Sequence, residues 1–149
     1  MNKKQEIQQA LTAAMKARDE DTKRTLRLVM SAIKIAEVEA GGELDDSRVL
    51  AILQKEVKTR EDIIAESRQA NRADLVEAAE KEMAILNKFL PQQMDQDELK
   101  AMAQSIVAEI GASGLRDMGE VMKHLMPKLE GRASGSDASK AVREILQSQ

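Results

Sequence analysis

The chain has 149 residues, 42% hydrophobic and 33% charged, with a net charge of −3, so it has no global pull toward nucleic acid and any such site has to be a local patch. It has no cysteine, which excludes disulfides, thiolate metal sites and a cysteine nucleophile. Phe89 is the sole aromatic, so the core has to be built from Leu, Ile, Val, Met and Ala, which mostly favour helix.

Ile7, Leu11, Ala14 and Met15 follow helical spacing and predict a first helix. No apolar run approaches the ~18 residues of a membrane span, and MNKKQEIQQALTAAM has no continuous apolar leader segment. The expectation is a soluble cytoplasmic protein with no membrane partner. The stretch DEDT (19–22) supplies acids and a cap for a second helix. Leu26, Val29, Ile33 and Ala36 form its stripe, while Leu28 and Ile35 lie off it, which predicts burial on more than one side. Lys23, Arg27 and Lys34 fall within about 40° of each other on a helical projection and form a basic ridge.

Gly41 and Gly42 stop this helix, and Asp45 or Asp46 caps the third, whose inner side carries Val49, Leu53, Val57 and Ile64. Glu56 and Arg60, four apart with the acid first, read as a structural ion pair in preference to a polar site. Asn71 to Asp74 reads as a cap and first turn for a fourth helix using Leu75, Ala79, Met83, Leu86 and Leu90 up to Pro91. The domain boundary falls here, giving 1–91 and 92–149. Asp95 with Glu98, and Asp117 with Glu120, repeat a capping pattern before a fifth helix (Leu99, Met102, Ile106, Ile110) and a sixth (Met118, Val121, Met122, Leu125, Leu129). A last helix uses Ala138, Val142, Ile145 and Leu146. The predicted fold is all-α: about four helices, a hinge, then a compact three-helix unit.

Few residues suggest chemistry. His124 is the sole histidine and has no second His or Cys to share a metal, so no metal or cofactor is expected. Met118, Met122 and Met126 repeat every four residues, read as core in preference to an adaptable groove. Pro127 removes a backbone donor inside the sixth helix and shapes the corner after it. That corner, GRASGS (131–136), lacks the Lys-Ser/Thr of a phosphate-binding P-loop, and no hydrolase or zinc motif occurs elsewhere. It does offer N–H groups at a helix start, where anions are favoured, although Asp137 is expected to cap that helix and compete. From Lys123 to Arg143 five bases face two acids. Lys123, His124, Lys128, Arg132, Lys140 and Arg143 are therefore the candidate nucleic-acid contacts, with a plain helix-to-helix corner as the alternative.

The ordered segments KRTLRLVMSAIKIAEVE (23–39), LQKEVKTRED (53–62), NRADLVEAAEKEMAILNKFLP (71–91) and GLRDMGEVMKHLMPKLEGRASGSDASKAVREIL (114–146) resemble the YqeY-like proteins. These are similar to the tail domain of the B subunit (GatB) of glutamine-dependent Asp-tRNA/Glu-tRNA amidotransferase. The resemblance implies an all-helical two-unit protein whose tail contacts tRNA. It also implies association with a carbon–nitrogen ligase using glutamine as amido donor, whose chemistry belongs to other domains. Phe89 stands where the family often has Tyr, and Ser134 where it often has an acid. The expected role is an accessory module that binds tRNA or accompanies the amidotransferase; the alternative is a helical protein–protein adaptor.

Overall fold

The computed structural model describes residues 1–148, which contain seven α-helices and no strand. The chain divides into two compact units, Met1–Pro91 and the residues from Gln92 onward.

Local caps delimit the helices of the first unit. Asn2 accepts from the Gln5 N–H at 2.8 Å while the Gln5 side chain accepts from the Asn2 N–H at 3.0 Å, starting α1 (Lys3–Ala17) with a reciprocal box. Asp19 takes the Thr22 N–H at 3.2 Å and the Thr22 hydroxyl at 2.7 Å, starting α2 (Glu20–Ala40). Gly41, at φ 75°, ends α2 in the left-handed region that a side chain resists. Asp45 caps α3 (Asp46–Gln69) through the Arg48 N–H at 2.9 Å.

Asn71 corrects the expectation placed on it. It ends α3 instead of starting α4 (Ala73–Asn87), whose first turn has no side-chain cap. Its φ is 56°, its N–H donates to the Arg68 carbonyl at 3.1 Å, and the Arg72 N–H donates to the Ser67 carbonyl at 2.8 Å. This is the paired-bond helix ending that usually takes glycine; Asn tolerates it because its short polar side chain lowers the cost of left-handed backbone. Leu90 also falls beyond α4, which stops at Asn87.

Ile7, Leu11, Leu26, Val29, Ile33, Leu44, Val49, Leu53, Ile85 and Leu86 form the core of this unit. Burying each large aliphatic contributes roughly 1.5–3 kcal/mol before entropy is counted. Burial of α2 on more than one side is not observed. Leu28 is 49% exposed, Ile35 62% and Val38 79%. The neighbours of α2 within the unit are α1, α3 and α4, all packed on the Leu26–Val29–Ile33 side. Leu75 and Met15 are exposed as well.

The second unit has a separate apolar core. Its α5 (Gln96–Ile110) starts at Asp95, which accepts the Glu98 N–H at 2.7 Å, and ends on Gly111 at φ 69°. A 3-10 turn, Leu115–Asp117, leads into α6 (Met118–Leu129), with Pro127 in its last turn. Asp117 does not cap α6; its carboxylate accepts the Ser113 N–H at 2.9 Å and so pins the preceding loop. Ser134, not Asp137, caps α7 (Gly135–Gln147), its hydroxyl accepting the Asp137 N–H at 3.1 Å. Leu99, Ala103, Ile106 and Val107 of α5 meet Val121, Leu125 and Leu129 of α6 and Ala138, Val142, Ile145 and Leu146 of α7.

Candidate functional site

The glycine-rich corner between α6 and α7 is held by its own unit. The Met94 N–H donates to the Arg132 carbonyl at 2.8 Å, and the Gln93 side chain donates to the Gly131 carbonyl at 3.0 Å. The Arg132 guanidinium reaches back in the same direction, from Nε to the Gln92 carbonyl at 2.8 Å and from Nη2 to the Glu98 carboxylate at 3.0 Å. Arg132 therefore acts as a strap between the corner and the segment before α5, and Glu98 is spent on it rather than on closing a capping box.

The other five candidates sort by partner. Lys128 ion-pairs with Glu109 of α5 at 3.5 Å. His124 Nδ1 lies 2.9 Å from the Glu120 carbonyl one turn back, with the Glu120 carboxylate at 3.9 Å. Lys123 on α6, and Lys140 with Arg143 on α7, are exposed, and among the described residues none of the three has an ion-pair partner. Lys140 and Arg143 stand three apart on the outer face of α7, opposite Ala138, Val142 and Ile145. The unit thus divides the predicted set into tied groups (Lys128, Arg132), one backbone-bonded ring (His124) and three unpaired cations. Ser134 already uses one N–H at the start of α7.

The methionine stripe splits in the same way. Met118 and Met122 pack against the core, while Met126 is exposed. Among the described residues, no group of three or more His, Asp or Glu side chains gathers closely enough to hold a metal ion.

The most buried charge among the described residues lies in the first unit. Arg60 is only 6% exposed and takes the Glu56 carboxylate, the Glu56 carbonyl at 3.2 Å and, from α4, Glu82 at 3.2 Å. Arg24 of α2 stands 4.0 Å from the same Glu82. The Glu56–Arg60 pair was legible from its spacing; Glu82 was not, because no local spacing links residues on separate helices. With both carboxylates satisfied by Arg60, the cluster reads as fold chemistry. On the outer side of this hairpin an open groove runs between α3 and α4 over Ile64, Met83 and Ala84, bridged at its rim by Arg68 and Glu80 at 3.3 Å.

Residues 4–146 match the family model described as Yqey-like protein. The chain belongs to the Yqey-like family. It is 28% identical over 148 residues to "Altered inheritance of mitochondria protein 41, mitochondrial" of Pyrenophora tritici-repentis, covering 94% of this chain and 78% of that protein. The protein of the same name in Lachancea thermotolerans is 31% identical over 134 residues, covering 88% of this chain and 70% of its own. That of Clavispora lusitaniae is 33% identical over 119 residues, covering 77% and 69%. The Yqey-like chain has, among its described residues, no helix long and apolar enough to cross a membrane.

Proposed function

We propose that this Yqey-like chain is an accessory module that binds tRNA through its C-terminal unit and serves a glutamine-dependent amidotransferase reaction without an active site of its own. The observation that carries the reading is that three of the candidate cations, Lys123, Lys140 and Arg143, are exposed and, among the described residues, without an ion-pair partner, on two helices whose apolar sides are locked in a core. An unpaired cation releases phosphate counterions at no cost in broken ion pairs, whereas Lys128 and Arg132 have to give up Glu109 and Glu98 first. With no Tyr or Trp in the chain, base stacking contributes little, so affinity comes from phosphate contacts and reads RNA shape over sequence. The curated relatives are named as mitochondrial, which favours an organelle over the plain cytoplasmic location expected from the sequence.

The test is tRNA binding by the full chain at low and physiological salt. Lys140→Glu/Arg143→Glu is expected to lower affinity by about tenfold or more at low salt. Equal binding by this variant and the unaltered chain would overturn the reading.

A further inference from the structure

The exposed face of α2 has a spacing and a charge that its own unit does not use. Leu28, Ser31, Ile35 and Val38 follow alternating steps of three and four residues, all on the side away from Leu26, Val29 and Ile33. That is the a/d spacing of a helix-pairing seam. In heptad terms Arg27 and Lys34 occupy g positions along one flank. Between Thr22 and Ala36 the chain has four bases and no acid, while Glu39, exposed just after Val38, stands at an e position on the opposite flank. Two of these bases are engaged: Lys23 with Glu20 at 3.5 Å, and Arg24 with Asp21 at 3.0 Å. Arg27 and Lys34 have no ion-pair partner among the described residues. The helix behind the seam is rigidly held, with Leu26 and Ile33 fully buried, so the face is preorganised.

We infer that α2 is a docking face for an amphipathic helix of a partner protein, one with an apolar ridge flanked by Asp or Glu. Charge complementarity selects this occupant. A second copy of the chain laid antiparallel on the seam would bring the Arg27 and Lys34 positions of the two copies together, and like charges in register oppose that pairing; laid parallel, it would set Lys34 against Glu39 but Arg27 against Ala32, leaving half of the basic flank unanswered. A phosphate backbone would satisfy Arg27 and Lys34 but leave three aliphatic side chains facing a polar surface, and a lipid surface holds a helix in proportion to its buried apolar area, of which Leu28, Ile35 and Val38 with Ser31 between them offer little. An acidic helix satisfies both halves: its apolar ridge packs between Leu28, Ile35 and Val38, and its carboxylates reach Arg27 and Lys34. The inference stands on the first unit alone and does not depend on tRNA binding by the second.

The test uses two synthetic helical peptides of about four heptads, both with Leu at a and d, one with Glu and the other with Lys at e and g; like charges keep each from pairing with itself. Each peptide carries a fluorophore at its N-terminus for titration, which leaves the seam itself unmodified. The acidic peptide is expected to bind and the basic one not. Arg27→Glu/Lys34→Glu should reverse that preference, weakening the acidic peptide by about tenfold or more and admitting the basic one. Ile35→Asp, followed by calorimetry, should abolish acidic-peptide binding, with an unchanged melting temperature because Ile35 lies outside the core. The same proteins are titrated with tRNA and with phosphatidylserine vesicles. Indifference of the peptides to charge reversal, or loss of RNA or vesicle binding in Ile35→Asp while peptide binding persists, would overturn the inference.

Discussion

Arg60 and Arg132 make nearly the same bonds in two different settings. Each reaches a backbone carbonyl and a carboxylate: Arg60 those of Glu56, with Glu82 besides, and Arg132 the Gln92 carbonyl and Glu98. Arg60 is nearly sealed between α3 and α4, whereas the Arg132 side chain is 33% exposed at a loop corner. Burial, more than the bond inventory, sets what each is worth. A buried charge that loses its partner cannot recruit water, and an exposed one can. Lys123, Lys140, Arg143, Arg27 and Lys34 are in a third condition, with no ion-pair partner among the described residues and therefore available to an external one.

The largest loss is expected at Arg60. Arg60→Ala leaves Glu56 and Glu82 facing each other in a half-buried site and is expected to cost about 3–5 kcal/mol, read as a lower urea midpoint. Replacing Glu56, Arg60 and Glu82 together by Leu, Met and Leu should recover most of that loss, since a packed apolar cluster needs no charge compensation. A mild effect of Arg60→Ala would show that water reaches the cluster. Arg132→Ala is expected to cost only about 1 kcal/mol, because Glu98 returns to solvent and the Met94 N–H bond to the residue's own carbonyl persists.

Acid titration sharpens the contrast further. Glu37 is held below the usual carboxylate range, first by the Lys4 ammonium at 2.9 Å and then by the Leu44 N–H at 3.2 Å, against partial desolvation. A carboxylate with a lowered folded-state pKa contributes stability that is complete above its unfolded value and is lost as pH falls through the folded value. Asp19, bonded to the Thr22 hydroxyl and N–H, and Asp117, bonded to the Ser113 N–H, titrate in the same sense. Glu37→Gln should therefore flatten the acid limb of the stability curve and leave neutral-to-alkaline pH dependence unchanged, measured by urea midpoints across the acid range. An unchanged acid limb would assign the loss to the other carboxylates.

Much of the fold was legible because it is written locally. Val121, Leu125 and Leu129, like Ala138, Val142 and Ile145, advance by helical steps, and Asp45, Asp95, Gly41 and Gly111 act within one turn of where they stand. Asn71 misled because the same side chain serves a helix start and a left-handed helix end; the bonds from Asn71 and Arg72 back into α3 decide between them. Leu28 and Ile35 misled for a different reason. Apolar residues off the main stripe signal contact, but the sequence does not say whether the contact lies inside the chain or outside it. At the candidate site, the residue types were visible and their partners were not. Glu98 lies 34 residues from Arg132, and nothing in the spacing distinguishes a capping acid from a strap anchor.

The central claim is that cations without internal partners carry binding while tied ones carry the fold. The salt dependence of tRNA affinity tests it most directly, measured for the unaltered chain, for Lys123→Gln/Lys140→Gln/Arg143→Gln and for Arg132→Gln. The triple variant is expected to flatten the slope of log affinity against log salt by roughly two to three, near one per lost phosphate contact, while Arg132→Gln leaves it unchanged. A slope that falls with Arg132→Gln and stays intact in the triple variant would contradict it.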